Sequence, residues 1–164
     1  MTQNQMTQNN ARVVALRTKF QQARAELQEA LAENARGDVA DYMFATLNGP
    51  VKLSALFGVK RDLFVIHNMG RGCNSCTMWA DGFNGLYPHI RDRASFVVSN
   101  QETPEQQAEF AASRGWKFPM VSTQGNTFAA DMGFANAAGK PMPGVSAFQM
   151  LDGKIVRVSA SGFN

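Results

Sequence analysis

Apolar residues return every three or four positions along the first part of the chain, at Val13, Leu16, Phe20, Ala23, Leu27 and Ala30/Leu31. Arg12, Arg17, Lys19, Arg24, Glu26 and Glu29 stand among the positions around them. The spacing predicts a long amphipathic helix over 11–36, roughly 38 Å at 1.5 Å per residue. Its stripe packs on its own domain or pairs with a partner chain. A stripe longer than one face of so small a domain points to self-association, with a homodimer as the simplest form. Residues 1–10, Gln, Asn and Thr with two Met, have too little apolar surface to order themselves and predict a disordered tail. The stretch "RGD" at 36–38 ends the helix.

After a linker the pattern shortens. "LSALFG" at 53–58 predicts one helical turn capped by Ser54, and "DLFVIHNM" at 62–69 predicts a buried strand. From Cys73 to Ile90 the apolar positions Cys76, Trp79/Ala80, Phe83, Leu86/Tyr87 and Ile90 recur at helical spacing. Strands are predicted at 95–100, 118–122, 145–151 and 154–160, the last two joined by an Asp-Gly turn. A helix over 104–114 has Thr103 and Pro104 where an N-cap and an early proline belong. Strands alternating with helices and closed by a hairpin predict one α/β domain over 45–164, built on a central mixed sheet flanked by helices.

Composition narrows the function classes. At 164 residues, 45% of them apolar, the chain can fill one core. Its net charge of +3 with only 18% charged residues is too weak for a nucleic-acid surface. No apolar run is long enough to span a membrane, and the start lacks the basic flank and apolar stretch of a signal peptide, so a cytoplasmic protein is expected.

The candidate chemistry lies in "GRGCNSCTMWADGF" at 70–83, which holds both cysteines, Cys73 and Cys76. Two thiols cannot make a secreted disulfide framework, and in a reducing compartment a local Cys-x-x-Cys is redox-active or metal-binding. Zinc needs two further ligands. The only histidines are His67, on the preceding strand, and His89, roughly 20 Å along the helix, so neither a metal nor a cofactor is expected. At a helix start the backbone N–H groups and dipole favour a thiolate on Cys73, and Arg71 adds a nearby cation. Cys76, one turn on, faces the core. The pair is therefore asymmetric: Cys73 attacks a protein or small-molecule disulfide, and Cys76 resolves the mixed disulfide.

Strand, Cys-x-x-Cys and helix is the arrangement of the thioredoxin fold. The likeness extends further: "GCNSCTMWADGFNGLYPH", "RGWKFPMVSTQGNTF" and "PGVSAF", in this order, resemble a bacterial thioredoxin-like family of unknown function. The motif of that family is matched by Gly72, Cys73, Cys76, Trp79, Ala80, Asp81, Phe83 and Gly85, and the similarity covers roughly residues 45 to 160. The resemblance implies a thioredoxin-like fold and thiol–disulfide oxidoreductase chemistry. Two departures stand out. Val145 and Ser146 lie where thioredoxins place a proline before the strand facing the site, and the sequence ends at Asn164, whereas chains of the family it resembles usually continue beyond the closing hairpin.

Other readings of the same residues compete. "KLSALFG" before an apolar strand resembles the opening of peroxiredoxins, although their Pro-x-x-x-Thr-x-x-Cys is unmatched, with Met69 and Cys73 at the Pro and Thr positions. A thioredoxin-like interaction or redox-sensing module without turnover is the non-enzyme alternative. Asp81 is either solvated or a proton acceptor for Cys76. Trp79, Phe83 and Tyr87 form a stripe expected in the core, Gly82 and Gly85 imply close packing or a helix break, and His67 is a packed strand residue or tunes Cys73.

Overall fold

The computed structural model describes residues 3–35 and 38–163. Positions 1 and 2 of the expected tail, and Arg36 and Gly37 at the expected helix end, lie outside the described residues. The chain divides into two compact units, Met1–Asn34 and Ala35–Asn164.

The first unit is one helix, α1, Gln3–Ala35. It takes in positions 3–10, whose composition predicts a tail: no glycine or proline interrupts the segment, and its Gln and Met tolerate helix well. Along it Val13, Leu16, Phe20 and Leu27 are exposed.

In the second unit, a sheet of seven strands has the order β2-β1-β5-β4-β3-β6-β7 among the described residues. These strands are β1 Met43–Thr46, β2 Gly49–Lys52, β3 Asp62–His67, β4 Ser95–Asn100, β5 Met120–Ser122, β6 Gly144–Leu151 and β7 Lys154–Gly162. Pairing is parallel between β3 and β4 and between β4 and β5, and antiparallel elsewhere. The mixed α/β sheet matches the sequence expectation. The β1–β2 hairpin does not, because that region reads as linker; yet Asn48-Gly49 is a hairpin turn signal, and Pro50 sits on the edge strand, where proline is tolerated. The domain also begins ahead of residue 45, since Val39 N–H donates to the Ile155 carbonyl at 2.8 Å.

Two helices make the parallel crossovers: α2, Asn74–Arg93, and α3, Pro104–Arg114. The latter starts at Thr103 followed by Pro104, as its sequence predicts, and Gln106 turns the cap into a reciprocal capping box. Residues 54–57 form a 3-10 turn, but Ser54 does not cap it; its N–H and Oγ instead bond the Asp41 carboxylate at 2.8 Å. A short α4, Phe128–Asp131, completes the set. Among the described residues no helix is long and apolar enough to cross a membrane.

Alternation along β3 divides the core in two. Leu63 and Val65 face a cluster with Phe44, Phe57, Phe128, Phe134 and Phe148. Phe64 and Ile66 face the other side, with Ala80 and Phe83 of α2, Phe96 and Trp116. A strand covered on both faces reads as a continuous apolar run, which is what residues 63–66 show.

Candidate functional site

The carboxyl end of β3 delivers the chain into a tight turn that opens α2. Cys73 is the N-cap of that helix, with φ −102° and ψ 103°. Its N–H donates to the Gly70 carbonyl at 3.1 Å, and its own carbonyl accepts from the N–H and hydroxyl of Thr77 at 3.0 and 3.1 Å. The Sγ accepts the backbone N–H of Cys76 at 3.1 Å, so the sulfur takes the role that a Ser or Asp oxygen plays at other N-caps. A negative charge on this sulfur is met by an otherwise unpartnered N–H and by the helix dipole.

Cys73 is part-exposed and Cys76 is buried, and neither is in a disulfide. Burial, then the hydrogen bond with Cys73, pushes the Cys76 thiol up to about 11. Cys76 is therefore a neutral thiol at neutral pH, while Cys73 holds the sulfur that solvent reaches. The two sequence-predicted site residues are thus together and inequivalent.

The turn itself is clamped by a residue that the sequence does not single out. Glu102, just past β4, accepts the Arg71 N–H at 3.0 Å, and its Oε1 lies 3.5 Å from Arg71 Nε. The same carboxylate accepts from Asn100 Nδ2 at 3.1 Å, and Asn100 Oδ1 is held in turn by Gln107 Nε2 at 2.7 Å. Gly70 fits twice over. Its φ of 93° favours glycine, and a Cβ there would come within 3.2 Å of the Glu102 carboxyl. Asn68 closes the turn from inside by accepting the Gly70 N–H at 2.7 Å. The Arg71 cation that the sequence offers to Cys73 is thus paired with Glu102. No local signal marks Glu102, because its partner lies 31 residues away.

His67 does not face the cysteine helix. Two-residue alternation puts it on the Leu63–Val65 side of the sheet, opposite Ile66 and α2. Its ring stacks on Phe134 at 3.9 Å and on Phe128 at 5.5 Å, and Nε2 lies 2.9 Å from Ser146 Oγ. Burial first, then the positive charge of Arg157, pushes it down to about 3. It is a neutral packed residue, with no contact that tunes Cys73.

Asp81 is also spoken for. Its Oδ1 accepts from Trp116 Nε1 at 2.8 Å and from Arg114 Nε at 3.2 Å, and its Oδ2 is bonded by Arg114 Nη2. Hydrogen bonds from Arg114 and then Trp116 hold its carboxyl below the usual carboxylate range. It ties α2 to the segment after α3 and is not the proton acceptor for Cys76.

The aromatic stripe is only partly core. Phe83 and Tyr87 pack against the buried cluster, but Trp79 is 43% exposed and stacks on Phe163 at 5.2 Å. With Phe64, Ile66, Phe83 and Val145 these two rings line an open, wholly apolar groove of about 220 Å³. The groove begins one turn beyond Cys76. Val145, registered against Ile66, faces it, whereas Ser146 faces the other side with His67. At Gly82 and Gly85 an added Cβ would meet nothing within 4 Å, and α2 runs through both unbroken. The close packing or helix break expected there is absent at both positions.

A strand leading to a dithiol at a helix N-terminus, on a mixed sheet with parallel crossovers, is the thioredoxin-like fold. The chain belongs to the bacterial family of proteins of unknown function DUF899, whose pattern matches residues 5–161. No curated protein matches it. Among solved structures it is similar to the peroxidoxin BcpB from Mycobacterium tuberculosis, with 26% identity, a TM-score of 0.63 and coverage of 78% of this chain and 84% of that one. It is also similar to peroxiredoxin Q from Xanthomonas campestris, with 21% identity, a TM-score of 0.59 and coverage of 74% and 80%. A third likeness is a candidate protein disulfide isomerase from Bacteroides thetaiotaomicron, with 18% identity, a TM-score of 0.56 and coverage of 76% of each chain.

Proposed function

We propose that this protein is a two-cysteine thiol–disulfide oxidoreductase in which Cys73 is the nucleophile and Cys76 the resolving thiol. The observation that carries the reading is the Cys76 N–H held 3.1 Å from Cys73 Sγ at the start of α2, beside a buried neutral partner thiol. The Cys73 thiolate attacks one sulfur of a substrate disulfide; a Cys73–substrate disulfide forms, and the other substrate sulfur leaves as thiolate. The departing thiolate takes the Cys76 proton, and Cys76 then attacks Cys73 Sγ, which releases the second substrate thiolate and forms the Cys73–Cys76 disulfide. Two electrons pass from the dithiol to the substrate. An external thiol reductant resets the pair, as a reducing, cytoplasmic compartment would allow.

The likeness to a peroxidoxin supports a second reading on the same cysteines. There Cys73 attacks the peroxide oxygen, an alcohol or water leaves, and the Cys73 sulfenic acid condenses with Cys76 to form the disulfide and water. Both readings end in the same disulfide.

One experiment separates them. Reduced protein is mixed with an excess of a small-molecule disulfide or of an organic hydroperoxide, and loss of thiol is followed by stopped flow. The oxidoreductase reading expects the disulfide to react faster, with Cys76→Ser trapping a mixed disulfide on Cys73 and Cys73→Ser unreactive. Faster oxidation by the hydroperoxide selects peroxidase chemistry. If both rates equal those of a free thiol, a binding or sensing module without turnover takes their place.

A further inference from the structure

We propose that α1 pairs with the α1 of a second copy of this chain, in antiparallel orientation, as a short two-stranded coiled coil. The proposal is independent of the cysteine chemistry.

The helix is continuous from Gln3 to Ala35, so positions can be assigned along it without a break. Val13, Leu16, Phe20, Ala23, Leu27 and Ala30 alternate at steps of three and four, the 3.5-residue repeat of a coiled-coil seam, with Val14 and Leu31 next to it. Val13, Leu16, Phe20 and Leu27 are each at least 44% exposed.

Charge decides the occupant and its direction. All the cations described on the helix, Arg12, Arg17, Lys19 and Arg24, lie in its first part, and all the anions, Glu26, Glu29 and Glu33, lie in its last. Among the described residues of the helix no cation stands three or four residues from an anion, so these charges do not pair along the helix itself. Its first turn has no acidic residue and its last turn no basic one, and the charge gradient runs against the helix dipole. A second copy laid antiparallel places each half against the opposite charge.

The register follows from the seam. Setting Phe20 level with Ala23 of the second copy sets Leu16 against Leu27 and Val13 against Ala30, so that each large side chain meets a smaller or equal one. On one flank Lys19 then faces Glu26 of the other copy, and Arg12 faces its Glu33. Symmetry repeats both contacts. On the other flank Arg17 faces Arg24, the one like-charged contact among these positions. A parallel pair fares worse: Phe20 meets Phe20, Arg12 faces Arg17, Lys19 faces Arg24, and no opposite charges meet.

The test is sedimentation equilibrium of the full chain in reducing buffer, for the wild type, Lys19→Glu, and Lys19→Glu combined with Glu26→Lys. The wild type is expected to dimerise. Lys19→Glu places Glu against Glu26 twice per dimer and is expected to raise the dissociation constant about tenfold or more, while the double variant restores it. Added salt is expected to weaken the wild-type dimer. A wild type that remains monomeric up to the millimolar range overturns the proposal, as does a dimer indifferent to both variants. A dimer that Lys19→Glu tightens overturns the antiparallel direction, because in a parallel pair that change relieves the clash with Arg24.

Discussion

Cys76 donates its backbone N–H to the sulfur of Cys73 at 3.1 Å while keeping its own sulfur out of solvent. The amide that meets the Cys73 sulfur and the thiol that burial keeps neutral at ordinary pH thus belong to one residue.

That division is open to alkylation. At pH 7 to 8 iodoacetamide is expected to modify Cys73 well before Cys76, read by peptide mass spectrometry. In a Cys73→Ser variant the remaining thiol is expected to stay slow until the pH climbs toward 11, since burial, the largest cause of its shift, persists. Equal rates for the two thiols at pH 7.5 would sink the proposed roles. Because the folded thiol titrates above its usual 9.0, its contribution to stability is complete below pH 9 and is lost as the pH rises toward 11.

Acid should act through His67. The unfolded chain binds a proton there near pH 6.5, whereas the folded ring stays neutral down to about 3. Stability present above pH 6.5 is therefore lost as the pH falls through that window, at up to about 1.4 kcal/mol per pH unit from this group. Urea unfolding at pH 7.5 and 5 is expected to show a smaller loss in His67→Gln than in the wild type; an equal loss would assign the acid sensitivity elsewhere.

Glu102 holds the turn that presents Cys73. Replacing it with Ala frees the exposed Arg71 amide to water and leaves the buried Asn100 side-chain amide without this acceptor, at a cost of about 1 kcal/mol, and is expected to speed hydrogen exchange at Arg71. Glu102→Gln keeps an acceptor oxygen for the amide and is expected to recover most of that protection. Unchanged exchange in the Ala variant would show that the turn is held without Glu102.

Two glycine substitutions should move stability in opposite directions. Gly82→Ala, on an open and exposed face of α2, is expected to stabilise by about 0.5–1 kcal/mol. Gly144→Ala would put a Cβ 2.1 Å from Phe134 Cε1 and 2.6 Å from the Ser161 carbonyl oxygen. It is expected to destabilise by about 1–3 kcal/mol or more, because one of those atoms is backbone and the Phe134 ring is stacked on His67. Thermal melts of both variants check the pair; a Gly144→Ala melt at or above the wild type would contradict the close approach.

The residues near Cys73 that matter for its setting were unequally legible. Strand β3, the N-cap of α3 and the helix opening at Cys73 follow from periodicity and from residues within four positions of one another, so the sequence alone determines them. The asymmetry of the two thiols was legible for the same reason, since one helical turn fixes which of them faces the core. Tertiary structure decided what each charged group near them is for. Arg71 reads as a cation beside Cys73 until Glu102 is brought across from β4, and Asp81 reads as a free carboxylate until Arg114 and Trp116 arrive from the end of α3. His67 reads as a neighbour of the site until the pleat of β3 turns its ring to the opposite face. Local elements are set by short-range periodicity and capping, which a sequence displays directly. The partner of a charge, and the face on which a ring lands, depend on residues more than thirty positions away and exist only once the sheet has assembled.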